Sequence, residues 1–220
     1  MKKSITKYFL GNSEVCEIDR TGINESNMKS FDDTMPIGPE RIPKGIEVDE
    51  NRIYFYCPVG DYEALEMNRL LRRLDVEMKY LSDRLACKSV PIHLHIHSPG
   101  GSIFAGLSIV DSIKNCKTEV CTYIDGSAAS AATLISVSAK KRYMSKNSFM
   151  LLHQPQLEWA GKLDEFKDEI ENQKNLYEKL VSVYEENSNM SRGELDDLLK
   201  HELWLNSEKC LELGLIDKII

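Results

Sequence analysis

Four stretches of the chain carry residues whose types and spacing suit chemistry. His93, His95 and His97 recur at every second residue, so on a strand all three imidazoles share one face, where they could converge on a metal. No nearby Asp, Glu or His cluster completes a coordination shell, and polar residues on the solvated face of a half-buried strand need no ligand, so no metal is expected. Ser98-Pro99-Gly100-Gly101-Ser102 follows directly. A glycine pair can turn backbone N–H groups towards a ligand and allow close approach, which suits an oxyanion, although Pro-Gly-Gly is also a common connector. Gly126-Ser127-Ala128-Ala129-Ser130-Ala131-Ala132 sets serines among small residues between a strand and a helix. Small neighbours admit a substrate, and the first N–H groups of the following helix stand beside developing negative charge, as a nucleophilic serine requires. Close helix packing would use the same residues. His153 closes the apolar run Leu151-Leu152, where it suits a general base for the serine or a hydrogen-bonded core residue. The joint occurrence, in order, of glycine turn, serine elbow and strand-end histidine favours the nucleophilic reading.

The elements that must position these residues follow from periodicity. Asn51 to Cys57 is dense in aromatic and β-branched residues and stops at Pro58-Val59-Gly60, as a first core strand does. Residues 61–86 carry Leu65, Leu70, Leu71, Leu74, Met78, Leu81 and Leu85 at helical spacing. Val90 to Ile96 alternates as a strand, and a helix is expected from Phe104 to about Lys114. Glu119 to Ile124 reads as a strand ending at Asp125-Gly126-Ser127, with a buried helix from Ala128 to Ala139. Short strands are expected at Arg142–Met144 and Phe149–Leu152. Strands alternating with helices indicate an α/β domain with a largely parallel sheet. Leu163, Phe166, Ile170, Tyr177, Leu180 and Tyr184 then step by threes and fours along one long helix, broken only by Gln173. Its stripe either packs on its own domain or projects to meet another subunit, and the pattern leaves both open. Ser191 and Glu194 match a capping box for a short helix, and Gly214 closes a last one begun near Asn206 or Ser207.

Composition excludes other classes. With 220 residues, 42% of them hydrophobic and 29% charged, the chain suits one core domain, here residues 49–220, behind an extension at 1–48 that is rich in turn residues. The formal charge of −7 argues against neutralising phosphates, so no nucleic-acid partner is expected. Tyr8-Phe9-Leu10 is too short for the apolar region of a signal peptide, and the weakly polar stretch from Gly126 to Ala139 is too short to span a bilayer. Neither export nor membrane insertion is expected. The cysteines at 16, 57, 87, 116, 121 and 210 form no CxxC pair and suit a reducing cytoplasm as ordinary residues.

From Arg52 to Asp217, about three-quarters of its length, the chain resembles the ClpP family, the proteolytic subunit of the Clp protease. The resemblance rests on His97-Ser98-Pro99-Gly100-Gly101-Ser102 with Ala105-Gly106 and Asp111, then Gly126 to Ser130, Lys141-Arg142-Tyr143 with Asn147-Ser148, His153-Gln154-Pro155 and Gly214-Leu215-Ile216-Asp217. It implies a crotonase-like stack of ββα units with a projecting handle helix, and serine-type peptide hydrolysis inside a barrel of two heptameric rings. Carried over residue by residue, it makes Ser130 the nucleophile, His153 the base, and the N–H groups of Gly101 and Ala131 the oxyanion hole. Substrate would lie as an added strand between Gly101–Phe104 and Gln154–Leu157, touching Gly100, Ser102, Ile103, Gln154 and Pro155. The stripe from Leu163 to Tyr184 would be the handle that joins rings. No cofactor is implied for this subunit, because ATP is used by a partner Clp ATPase.

Several positions depart from the family pattern. Its acid is an aspartate, and counting back without gaps from Gly214-Leu215-Ile216-Asp217 puts Glu202 there, with Asp196 and Asp197 as further candidates. His201 replaces an arginine that helps lock rings, and Gln156-Leu157-Glu158-Trp159 replaces a glycine-rich stretch. The first 48 residues do not match the family's usual start, where an ATPase docks. The expectation is a cytoplasmic, homo-oligomeric serine endopeptidase. The alternatives are a non-catalytic ring subunit of the same fold and a crotonase-fold enzyme acting on acyl-CoA thioesters.

Overall fold

The computed structural model describes residues 5–9, 15–19, 44–87, 89–156 and 160–220. Two short strands, β1 (Ile5–Phe9) and β2 (Val15–Asp19), pair antiparallel, so the expected arm contains a hairpin that its weak periodicity did not announce. The turn-rich residues 22–43 lie outside the described residues. β3 (Ile46–Asp49) straddles the expected boundary between residues 48 and 49 and pairs antiparallel with β4 (Arg52–Phe55) at the edge of the main sheet, and Ile46 is buried in the core.

After β4 the chain enters α1 (Asp61–Leu85), which buries Leu70, Leu71, Leu74 and Met78 along one face. It ends at Ala86 in the left-handed region, with Ala86 N–H bonded to Asp83 O. β5 (Ile92–Ser98) and α2 (Ile103–Asn115) complete the second unit. Ser102 caps α2, its hydroxyl accepting from Ala105 N–H at 3.3 Å. β6 (Val120–Ala129) is longer than its sequence suggests, and α3 (Ala131–Val137) correspondingly starts later than Ala128. Then come β7 (Lys141–Met144), β8 (Phe149–Leu151), α4 (Leu163–Asn187), α5 (Arg192–Leu198), β9 (Trp204–Asn206), α6 (Ser207–Glu212) and β10 (Lys218–Ile219).

The sheet runs β10-β7-β6-β5-β4-β3, with β4 to β7 and β10 parallel. The length of β6 has a physical reason. Its first half pairs with β7, Cys121 opposite Lys141, and its last three residues pair with β8, Ala129 opposite Leu151. Between the two lies Gly126 at φ 94°, and Ser148 bridges the gap, accepting from Gly126 N–H at 2.7 Å and donating to Ile124 O at 3.0 Å. Asp125-Gly126-Ser127 therefore changes the strand's partner without ending the strand.

The outer face around β5 is not the solvated face that alternation predicts. Tyr54, His95, Tyr123 and Tyr143 occupy one row across β4, β5, β6 and β7, stacked with ring centroids 4.9, 4.6 and 4.8 Å apart. His95 bonds to Asp125 at 2.7 Å, and His93, only 3% exposed, bonds to the Tyr123 hydroxyl at 2.8 Å. The histidines thus serve a cross-strand aromatic ladder.

Two of the motif segments meet at the sheet's edge. Arg142 donates through its backbone N–H (2.8 Å), Nε (3.1 Å) and Nη2 (2.6 Å) to the Asp217 carboxylate, and Asp217 N–H returns a bond to Arg142 O. Burial raises the Asp217 carboxyl, but the Arg142 bonds and charge outweigh it and hold it below the usual carboxylate range. A lowered carboxylate contributes stability at neutral pH that is lost as pH falls through that range. Asp217→Asn should therefore cost about 1 kcal/mol at pH 7, limited because Asp217 is 43% exposed, and should flatten the acid limb of a stability–pH profile measured by urea unfolding.

α4 divides in two. Its last turns bury Leu180, Val181, Val183 and Tyr184, whereas no residue from Leu163 to Lys179 is buried and Leu163 is 71% exposed. The apolar stripe is anchored at one end and leaves the domain at the other. Among the described residues no helix is long and apolar enough to cross a membrane.

Candidate active site

Ser130 stands where β6 becomes α3, at φ 53° and ψ −127°, a conformation that a residue with a side chain adopts at a cost of about 1–3 kcal/mol. Its backbone is held from both sides. Ser130 N–H donates to Leu151 O at 2.8 Å, while its carbonyl accepts from Thr133 N–H at 2.9 Å and from the Thr133 hydroxyl at 2.6 Å. The strained turn pushes the side chain away from the regular strand and helix, which is how a small-residue elbow exposes a nucleophile.

The glycine turn presses against this elbow. Gly100 has φ 84°, and a Cβ placed on it would lie 2.4 Å from Ala129 O and 2.7 Å from the Ser130 Cβ. Gly101, at φ 147°, is bridged to Val59, with Val59 N–H donating to Gly100 O and Ser102 N–H to Val59 O. Those bonds leave the N–H groups of Gly101 and Ala131 without an acceptor among the described residues. Ala131 N would sit 3.1 Å from that same Gly100 Cβ, so it faces the turn. Gly100→Ala should cost about 2–4 kcal/mol in thermal or urea unfolding, because the added carbon strains φ and overlaps backbone on the elbow.

His153 lies two residues beyond Leu151, the residue whose carbonyl holds Ser130. β8 also pairs antiparallel with β9, Met150 opposite Leu205 and Leu151 opposite Trp204. Continuing that register by two residues brings Glu202 opposite His153, so the two side chains would share a face. The strands separate there, and Gln154 N–H bonds instead to Leu199 O at 2.8 Å. His153, Gln154, Pro155, Gln156, Leu199, Lys200 and Glu202 line one cleft of about 550 Å3. Glu202 accepts a long bond, 3.4 Å, from Gln156 Nε2. Among the described residues, no hydrogen bond joins Ser130 to His153 or His153 to Glu202.

The other candidate acids are engaged elsewhere. Asp196 accepts from the Tyr177 hydroxyl at 2.7 Å and from Arg192 Nε at 3.0 Å, which hold its carboxyl below the usual range, and Asp197 pairs with Lys200 at 2.8 Å. Of the expected substrate segments, Ile103 and Phe104 belong to the first turn of α2, so on that side only Gly100 to Ser102 lies outside the helix. Gln154 is exposed and Pro155 half-buried on the other side, and Leu157 lies outside the described residues together with Glu158 and Trp159. Among the described residues no group of three or more His, Cys, Asp or Glu is placed to hold a metal. Burial pushes the thiols of Cys57 and Cys116 up to about 11, leaving them protonated and poor nucleophiles.

Comparison with known proteins shows the family. Residues 75–220, two-thirds of the chain, match the Clp protease family model. The chain is 29% identical over 180 residues to ATP-dependent Clp protease proteolytic subunit 1 of Chlamydia muridarum, covering 79% of this chain and 88% of that protein. It is 28% identical over 203 residues to the subunit of the same name in Protochlamydia amoebophila, covering 89% and 94%. Among solved structures, a mutant of ClpP1 from Listeria monocytogenes superposes with a TM-score of 0.63 at 25% identity, covering 75% of this chain and 88% of that one. The elbow, the glycine turn and the mixed α/β sheet behind them thus sit in a chain that belongs to the Clp protease family.

Proposed function

We propose that the chain is an active serine endopeptidase subunit that cleaves peptide bonds of unfolded proteins and peptides inside an oligomeric chamber. The observation that carries this reading is the elbow at Ser130, strained, clamped and pressed by the glycine turn, beside which the N–H groups of Gly101 and Ala131 lack acceptors among the described residues. In the proposed mechanism His153 takes the Ser130 hydroxyl proton as Ser130 Oγ attacks the substrate carbonyl. The resulting oxyanion is received by the N–H groups of Gly101 and Ala131. His153 then protonates the leaving amine, and water releases the acyl group by the same steps in reverse roles. Glu202 holds the imidazole and stabilises its charged form.

Assembly into homo-oligomeric stacked rings, with a Clp-type ATPase feeding the chamber, is supported by the exposed half of α4 and by the relatives' names. ATP would be spent by the ATPase, and the peptidase subunit itself would need no cofactor. Native mass spectrometry with a fluorogenic peptide assay on each species, with and without such an ATPase, tests the proposal. Hydrolysis should follow the ring species. Rings that form but stay inert would favour the non-catalytic subunit instead. Placing a charge on the projecting stripe, Ile170→Asp, should shift the mass towards single rings or smaller species while the far-ultraviolet circular dichroism stays unchanged.

A further inference from the structure

We infer that Thr133 and Tyr184 are positioning residues for the oxyanion hole, an inference that rests on Ser130 as nucleophile and Ala131 as an oxyanion donor. The peptide unit joining Ser130 to Ala131 is planar and trans, so the Ser130 carbonyl and the Ala131 N–H point in opposite directions. Whatever draws the carbonyl one way aims the N–H the other way. Thr133 draws it into the domain with two donors, its N–H at 2.9 Å and its hydroxyl at 2.6 Å. The Ala131 N–H is thereby aimed away from Thr133, its nitrogen against the glycine turn, 3.1 Å from where a Gly100 Cβ would lie.

A threonine bonded to the carbonyl three residues back is common in helices and by itself signifies little. What distinguishes this one is a second hydroxyl behind it. Tyr184, at the anchored end of α4 and 1% exposed, places its hydroxyl 2.6 Å from Thr133 Oγ1. The single hydroxyl proton of Thr133 goes to Ser130 O, so Tyr184 must donate into the threonine oxygen. Burial pushes the Tyr184 phenol well above its ordinary range and keeps that donor protonated. The two O–H groups form a directed chain in a dry setting, Thr133 being wholly buried, where successive bonds polarise one another. Residues 51 positions apart thus fix the tilt of one peptide plane.

A tilted plane weakens the grip on the tetrahedral oxyanion and leaves ground-state binding alone, so its signature is a fall in kcat at constant KM. The test uses the assembled protein and a short fluorogenic peptide. Thr133→Val, which keeps shape and loses the hydroxyl, should lower kcat by about ten- to a hundredfold. Thr133→Ser should restore it, and Tyr184→Phe should lower it by about threefold. In the double variant Thr133→Val/Tyr184→Phe the orphaned phenol is gone, so the thermal midpoint should recover, yet kcat should equal that of Thr133→Val because Tyr184 acts only through Thr133. A peptide boronate, which mimics the tetrahedral adduct, should lose affinity for Thr133→Val by the same factor as kcat/KM.

Wild-type kcat in Thr133→Val, or a double variant that regains rate together with its midpoint, would overturn the inference and leave the serine mechanism standing. If the assembled wild-type protein neither cleaves the peptide nor reacts with a fluorophosphonate, the serine reading itself fails and the positioning role falls with it.

Discussion

Ser130→Ala is expected to remove peptide hydrolysis almost entirely, with kcat falling by roughly five to six orders of magnitude, as when a triad nucleophile is deleted. The size of the effect follows from what is lost. Without Oγ no acyl-enzyme can form, and only the oxyanion donors and substrate positioning remain. The substitution is also clean in structural terms. Alanine carries the same backbone restrictions as serine at φ 53°, and among the described residues the Ser130 hydroxyl makes no hydrogen bond that the fold would lose. Thermal unfolding of Ser130→Ala should match the parent within about 0.5 kcal/mol. Steady-state kinetics and calorimetry on the same preparation check both halves.

Glu202→Gln is the second large effect expected. The glutamine keeps length and shape but carries no charge, so it no longer stabilises the imidazolium and can favour the wrong tautomer of His153. A loss of about two to four orders of magnitude in kcat is expected, with little change in KM. Glu202 is exposed and, among the described residues, makes a single long bond to Gln156, so the fold should not notice the change. Asp196→Asn supplies the contrast. It removes the charge that Arg192 pairs with and one of the two acceptor oxygens, and should lower stability modestly while leaving kcat alone. A rate unchanged in Glu202→Gln and lost in Asp196→Asn would reassign the acid.

Much of the architecture is legible in local sequence because it depends on local physics. The three- and four-residue spacing of Leu70, Leu71, Leu74 and Met78 around the helix determines which face of α1 is buried, with Leu71 to Leu74 the three-residue step, and the glycine pair at 100–101 supplies positive φ where the turn needs it. The limits appear where distant segments decide. Asp125-Gly126-Ser127 looks like a strand end, yet β6 continues because β8 offers a second partner. His93 and His95 alternate as a solvated face would, but tyrosines from three other strands roof that row. Counting back from Asp217 points to Glu202 without a physical reason; the β8–β9 register, which ends at Leu151 opposite Trp204, shows only that Glu202 and His153 flank the paired strands. The Thr133–Tyr184 pair could not be read at all, because neither residue signals its partner in another helix.

Whether Ser130 is a working nucleophile is tested most directly by exposing the assembled wild-type protein to a fluorophosphonate and mapping the adduct by tandem mass spectrometry. One adduct per chain is expected, on Ser130, appearing in step with loss of peptide hydrolysis. An adduct on another residue, or an assembled ring that cleaves peptide and remains unlabelled at Ser130, would contradict that role.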